Sequence, residues 1–421
     1  MIFKNKNLLK LHLLAFSLVV FLIPSQLAFH LWPNWSLVFG IRVDYLAITI
    51  YLTDILVFAY ILSFLITQRK NIVFDKKTLK TSLVVFLFSI LNILFSFQKE
   101  LALLKWLKIY ELILFSFFVS KDQVITKRLL KKSFSLSICL FSFIGFLQII
   151  RGSTSGRLFY FLGERNFTKS TPGISLLFFL DKTFLKPYST FSHPNSLSGF
   201  LAVVLLLLTC WLQRNKDNIT KFSIVFGGML LFFCFSRSVI LALFFVLILF
   251  FFLKKDTNKY LSLLKIVFGS LIFLSFLLPI FSNKVLEFDL GFSQNIKERL
   301  VLSKAAGQIF STKPILGVGL NNFIRILPLT NVYKNPIWLL QPVHNVFLLL
   351  LSEVGVLGFV IFFALAILFF NSFKLGNKKE YVVCFILILI TGFFDHYWLT
   401  LQQNLILLFL VLGLSKNKQI E

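Results

Sequence analysis

Four polar positions interrupt an otherwise apolar chain in ways that invite chemistry. Arg237 stands in Cys234-Phe-Ser-Arg-Ser-Val with at least ten mostly apolar residues on either side. A charge within a membrane segment costs about 2.5–3.5 kcal/mol on insertion scales, so such an arginine either marks a site or snorkels to water from a helix boundary. As a site it is an anion clamp, because its planar fork donates two parallel hydrogen bonds to phosphate. His344, in Gln341-Pro-Val-His-Asn-Val, follows a proline and falls in the first turn of a long apolar helix. An imidazole there can serve as a general base near neutral pH, or simply sit at the interface. Its neighbour Asn345 either caps that helix or binds sugar hydroxyls.

His193 lies in Ser189-Thr-Phe-Ser-His-Pro-Asn-Ser-Leu-Ser-Gly, where Pro194 suits the first helical position and Asn195 follows. The small polar residues allow close approach of a substrate, and a capped helix entry reads the same way. His396, in Phe393-Phe-Asp-His-Tyr-Trp, brings Asp395 with it, either to orient His344 or as part of an aromatic belt. Glu353 comes nine residues after His344, about 13 Å along the helix and on its opposite face, so its expected partner is a neighbouring helix. Gly355 and Gly358 permit that close packing. Gly317-Val-Gly319 makes a tight turn and no more by itself. There is no Walker lysine motif, Rossmann fingerprint or zincin pattern, and neither metal nor cofactor is expected.

These residues must be held by membrane helices. Of 421 residues 57% are hydrophobic and 14% charged, with 56 Phe and a mean hydropathy of +0.86. An ordinary soluble domain, about 45–50% apolar and about 25% charged, is excluded. Apolar runs of about 20 residues recur throughout, which predicts an all-α, multi-pass membrane protein. The net charge of +26 then reads as an orientation signal and not as nucleic-acid binding. All four Cys fall inside apolar runs without metal-like spacing. The first apolar run is too long for a signal peptide and lacks a clear cleavage site.

About twelve spans follow, near 8–29, 44–67, 81–97, 105–120, 133–150, 195–213, 266–283, 343–371, 381–394 and 399–414, with two more inside 222–253. That last stretch is too long for one crossing, so it is divided at Arg237. About 25 of the 43 Lys and Arg then crowd into about 71 loop residues on the side of the termini, while the rest spread over about 145. Both termini are therefore expected in the cytoplasm, and the long loops 151–194 and 284–342 outside. Residues 1–421 read as one polytopic domain.

Taken in order, Ser189-Thr-Phe-Ser-His-Pro-Asn-Ser-Leu, Phe235-Ser-Arg-Ser, Pro314-Ile-Leu-Gly-Val-Gly-Leu-Asn-Asn-Phe, His344-Asn-Val-Phe-Leu and Ser352-Glu-Val-Gly-Val-Leu-Gly resemble the O-antigen ligase/polymerase family of bacterial membrane glycosyltransferases. The resemblance covers roughly residues 150–400. It implies a fold related to the C-type glycosyltransferases, an undecaprenyl-diphosphate-linked glycan as donor, a glycan or lipid-glycan as acceptor, and no metal or nucleotide sugar. It implies His344 as the base that activates the acceptor hydroxyl and Arg237 as a donor diphosphate ligand, with Arg299 as a second cation. Lys186 stands where many members carry Arg; it keeps the charge without the bidentate fork. His193, Asn195, Asn345, Asp395 and His396 fall among possible supporting residues. Cell-surface polysaccharide synthesis in the cytoplasmic (inner) membrane, among membrane lipids, is the implied setting. A lipid-linked oligosaccharide flippase or other polysaccharide transporter is the alternative, and would show repeat symmetry and charges near the midplane.

Overall fold

Charged runs, prolines and capping side chains cut the apolar sequence into helices. The computed structural model describes residues 6–69, 72, 76–179, 182–212, 217–252, 294–332, 339–371 and 378–420, with 273, 274, 277 and 280 besides. The span expected near 266–283 lies almost wholly outside them.

The chain runs α1 (Lys6–Leu22), β1 (Ala28–Leu31), β2 (Leu37–Val38), β3 (Ile41–Arg42), β4 (Ile48–Tyr51), α2 (Leu52–Gln68), α3 (Lys76–Leu94), α4 (Lys99–Lys121) and α5 (Lys127–Arg151). It continues through β5 (Leu176–Phe179), β6 (Lys182–Leu185), α6 (Pro194–Trp211), α7 (Asn218–Phe233) and α8 (Arg237–Phe252). Then come α9 (Gln294–Thr312), the short α10 (Phe323–Ile326), α11 (Val346–Asn371), α12 (Lys379–Phe394), the short α13 (Tyr397–Thr400) and α14 (Gln402–Lys416). Among the described residues three helices are long and apolar enough to cross a membrane by length and composition: α5, α6 and α11. Six further apolar helices among these residues are shorter. Exposed Phe58, Phe86, Phe222 and Phe244 put aromatic surface on the outside of the bundle, where a soluble protein would put charge.

Local chemistry sets the boundaries. Thr126 accepts the Leu129 N–H at 3.2 Å to start α5, which stops at left-handed Gly152. The long apolar stretch after Lys221 does break before Arg237. Phe235 adopts φ 47°, so α7 ends and α8 restarts at Arg237 itself.

Two features depart from an all-helical reading. Among the described residues three two-stranded antiparallel sheets, β1–β4, β2–β3 and β5–β6, occupy the first loop and loop 151–194. In β1–β4 the pairing Phe29↔Ile50 and His30↔Thr49 puts Phe29, Leu31 and Ile50 on one exposed apolar face. Loop 284–342 in turn contains the 19-residue helix α9.

Loop 314–319 pairs with an opened turn of α11. Val318 and Gly319 donate to the carbonyls of Ser352 and Glu353 at 3.0 and 2.9 Å, while Val356 and Leu357 donate back to Pro314 and Ile315 at 2.8 and 3.1 Å. Gly355 makes this possible with φ 65° and ψ −172°; a Cβ there would come within 2.4 Å of the Ile315 carbonyl. Gly317 faces it, and its Cβ would meet the Glu353 backbone at 2.4 Å. The Gly-Val-Gly segment is thus committed to packing, and Glu353 accepts the Phe323 N–H at 3.2 Å, at the start of the short helix α10.

The loops gather at one end of the bundle. Asn321 donates to the Tyr45 carbonyl at 3.0 Å, Arg325 to that of Leu37 at 2.7 Å and Thr190 to that of Pro24 at 2.5 Å. The other end is tied by Trp211 to Glu380 at 3.3 Å and by Lys378 to the Ser415 carbonyl at 3.0 Å.

Candidate functional site

At the loop end, the chain between α12 and α13 turns sharply and presents Asp395 and His396. Asp395 is extended (φ −158°), ends α12 and lies buried. Its Oδ1 accepts the His396 N–H at 2.8 Å and the His344 Nδ1–H at 3.2 Å; its Oδ2 accepts from Asn195 Nδ2 at 3.0 Å. A carboxylate with three donors is fixed in direction, and three segments distant in sequence meet on it.

His344 lies two residues before α11, a correction to its expected place in the first helical turn. Asn345 caps the helix by accepting the Leu348 N–H at 2.9 Å, so the helix begins at Val346. The Asn345 N–H also reaches the Val343 carbonyl at 2.7 Å. That closes a three-residue turn with His344 at its apex, where the side chain projects from the backbone. The ring is 18% exposed, against 6% for Asp395.

Hydrogen bonds assign the tautomers. Because Nδ1 of His344 donates to an ionised acid, Nε2 carries the lone pair, and it has no partner among the described residues. In His396, Nδ1 lies 2.7 Å from Thr400 Oγ1, whose own proton goes to the His396 carbonyl at 3.1 Å. Nδ1 is therefore the donor, and Nε2 faces Asp395 Oδ1 at 3.9 Å. The two imidazoles lie 5.1 Å apart. His193 caps α6: its Nδ1 accepts the Asn195 N–H at 3.1 Å, which leaves Nε2–H beside Ser175 Oγ at 3.3 Å.

Electrostatics separate the two buried groups. Burial alone would push the Asp395 carboxyl up, but His344, His396 and Arg299 together hold it well below the usual carboxylate range. Burial takes His396 down to about 3 against the pull of Asp395, with His344, His193 and Arg299 adding to the shift. The acid is charged and its neighbour His396 neutral at physiological pH.

The expected cations flank this centre. Arg299, on α9, donates to the Phe394 carbonyl at 3.0 Å, one residue from Asp395. Lys186, at the end of β6, is half-buried; burial pushes its ammonium down, Cys234 opposes this, and nearby Arg237 adds to it. Arg237 is exposed at the start of α8. Asn195, His193, His344, Asp395, His396 and Arg299 form one cluster, and Lys186, which feels the charge of Arg237, reaches His193 through its own.

Two residues of this region escaped the sequence reading. The Tyr45 ring meets His396 edge-on at 5.7 Å, and burial and Asp395 raise its phenol. Arg165 donates to the Ser192 carbonyl at 2.6 Å and lies over the rings of Phe167 and Tyr188 at 5.8 and 5.9 Å. Arg165 stands in a polar loop and Tyr45 at the very edge of the span expected near 44–67, so only loop packing could reveal them.

His344, Asp395 and His396 also bring one nitrogen or oxygen each to within 4.8 Å of one another, close enough to hold a metal ion.

A helical membrane protein that gathers an oriented imidazole, a buried carboxylate and several cations at one end is the class these features define. Residues 222–363 match the family described as O-antigen ligase, so this part of the chain carries that domain, in line with the resemblance to the O-antigen ligase/polymerase family. Together with the apolar helices this makes it an integral membrane protein. The match includes Arg237, Arg299, His344 and Asn345; Lys186, His193, Asn195, Asp395 and His396 lie outside it. No curated protein matches the chain.

Proposed function

We propose that the protein transfers a glycan from undecaprenyl diphosphate to an acceptor hydroxyl at the outer face of the cytoplasmic membrane, in cell-surface polysaccharide synthesis. The observation that carries this reading is the His344–Asp395 hydrogen bond, which leaves Nε2 of an accessible imidazole free beside a group of cations.

A glycosyl diphosphate is already activated. As the anomeric C–O bond to the diphosphate breaks, negative charge builds on the leaving group, and Arg237, Lys186 and Arg299 stabilise it in a partly dehydrated site. The acceptor oxygen forms the new bond to the anomeric carbon, and its proton passes to His344 Nε2. Asp395 keeps the ring in the required tautomer and stabilises the imidazolium, as the acid does in a catalytic triad. His193 and Asn195 hold the carboxylate side of this arrangement, and Asn345 sets the turn that carries the base. No step calls for a metal or cofactor. Ligase and polymerase share this donor and leaving group and differ in the acceptor.

In this reading the shorter helices cross as well, giving about twelve spans with both termini in the cytoplasm. The positive charge density of the loops on the side of the termini supports that orientation. It puts the whole cluster outside, where the polyprenyl tail can lie along exposed Phe and Leu of the bundle.

The test is transfer by purified protein given a polyprenyl-diphosphate glycan and an acceptor, with release of polyprenyl diphosphate followed. Wild type should transfer, and His344→Ala and Arg237→Ala should not. Lipid scrambling without a new glycosidic bond would reassign the protein to transport. Cysteine labelling that placed residue 237 in the cytoplasm would overturn both the topology and the site.

A further inference from the structure

The cluster that orients the base has a second capability. His344 Nδ1 lies 3.2 Å from Asp395 Oδ1 and His396 Nε2 lies 3.9 Å from that same oxygen, and the three residues bring one ligand atom each to within 4.8 Å of one another. Around a four-coordinate zinc ion with bonds of about 2.0–2.1 Å, neighbouring ligand atoms stand about 3.3 Å apart. One pair already meets that spacing, and the others need to close by an ångström or so.

We propose that His344, Asp395 and His396 bind one divalent transition-metal ion of the zinc class, and that the ion blocks the site by taking the nitrogen that orients the base. Two imidazoles and a carboxylate suit zinc, cobalt or nickel, and not magnesium or calcium, which want oxygen. The surroundings hold the ligands as metal sites do. Thr400 accepts from His396 Nδ1 and so turns the Nε2 lone pair toward the cluster. Asn195 takes Asp395 Oδ2, while Oδ1 keeps the His396 N–H and offers the ion the lone pair on which His344 Nδ1–H now sits. The His344 ring is partly open, so a fourth position is left for water. Arg299, held at the Phe394 carbonyl, opposes a cation here and makes the binding reversible, unlike that of a closed structural site.

The consequence follows from proton bookkeeping at one ring. Bound through Nδ1, neutral His344 must carry its single proton on Nε2. That proton leaves Nδ1 as the ion arrives and is regained at Nε2 from water, so the imidazole's proton count is unchanged. The ring then has no lone pair to accept the acceptor's proton. Inhibition, unlike binding, rests on the glycosyl-transfer reading.

The experiment uses the purified full chain in detergent. Co2+ is titrated while its visible absorption is followed, then displaced with Zn2+; in parallel, transfer is measured at each Zn2+ occupancy and again after a chelator. One equivalent of Co2+ with the strong absorption of a low-coordinate site is expected, displaced by Zn2+. His396→Ala and Asp395→Asn should each weaken binding at least about tenfold, and Thr400→Val by a smaller factor. Transfer should fall in step with occupancy and return with the chelator. Absence of one-to-one binding by wild type overturns the site whatever the variants do, as does binding that the three substitutions leave unchanged. Binding at full occupancy with transfer intact overturns the block and counts against His344 as the base, leaving the metal site standing by itself.

Discussion

Two histidine–aspartate pairs sit at opposite ends of this molecule, and they differ in what their neighbours leave over. At the end away from the loops, His12 Nε2 lies 2.8 Å from Asp122 Oδ2, with both side chains fully buried. Ser63 takes the Nδ1 side at 2.8 Å and passes its own proton to the Tyr60 carbonyl at 2.7 Å. Tyr60, Gln68 and the Val124 N–H fill the remaining places on Asp122 at 2.9, 2.8 and 3.0 Å. Every polar atom of the pair is engaged, and the His12 ring stacks on Tyr60. Asn417 then ties the C-terminal end to the carbonyls of Val119 and Asp122, each at 2.7 Å. At the loop end the His344–Asp395 bond is longer, the ring is partly exposed and Nε2 is left free among the described residues. A closed polar network fixes helices against each other; a network with one unspent lone pair, at a solvent edge, can do chemistry.

That contrast is broken most sharply by His344→Ala. Removing a positioned base should lower transfer by about 10²–10⁴-fold while stability falls less than in Asp122→Ala, because Asp395 keeps its donors from His396 and Asn195, as measured by single-turnover assays and melting in the same detergent. A comparable loss of stability with the loss of transfer would show the loop-end pair to be structural too.

The opposite outcome is expected for Asp122→Ala. Breaking a buried pair by removing one partner costs about 3–5 kcal/mol, here compounded by stranding Tyr60 and Gln68. Denaturant or thermal unfolding should show the loss, and transfer per folded molecule at low temperature should stay near that of wild type. Loss of transfer in molecules still folded would mean that the two ends communicate.

Acid sharpens the comparison at smaller scale. His396 titrates near 3 in the folded protein and about 6.5 unfolded. Between those values the unfolded chain binds the extra proton, so stability falls as pH drops, by up to about 1.4 kcal/mol per pH unit. Asp395, depressed well below 3.8, adds a loss in the same direction only below about pH 4. Melting midpoints from pH 7 to pH 4 should therefore decline, and His396→Gln should flatten the decline. An unchanged slope in that variant would assign the acid sensitivity elsewhere.

Much of the candidate site is legible in the residues alone because a polar side chain in or beside an apolar run is conspicuous. His344, Arg237, His193 and the Asp395-His396 pair were all singled out this way, and the break at Arg237 followed from length. What stayed hidden depends on contacts between loops. Nothing in the spacing of Tyr45 or Arg165 says that one will meet His396 and the other Ser192. The small sheets of the first loop were concealed by their shortness, with two residues in each strand of β2–β3. The helix α9 was missed because its polar sequence gives no hydropathy signal. Glu353 stood out, and its partner is the N–H of Phe323 at the start of the short helix α10.

The smallest effect bears on how the open pair is aimed. Asn345 both accepts the Leu348 N–H and closes the turn on Val343 that carries His344, so one residue couples a helix cap to the direction of the base. Asn345→Ala should cost about 0.5–2 kcal/mol of stability through the lost cap. The turn would loosen with it, and transfer should fall several-fold through kcat more than through KM, since the acceptor still binds while the imidazole is less well aimed. Asn345→Ser restores a capping oxygen but not an amide able to hold a sugar hydroxyl. Recovery of both stability and kcat in Asn345→Ser assigns the residue to positioning. A normal melting temperature with KM still raised would assign it to the glycan, and the aim of His344 would then rest on Asp395 alone.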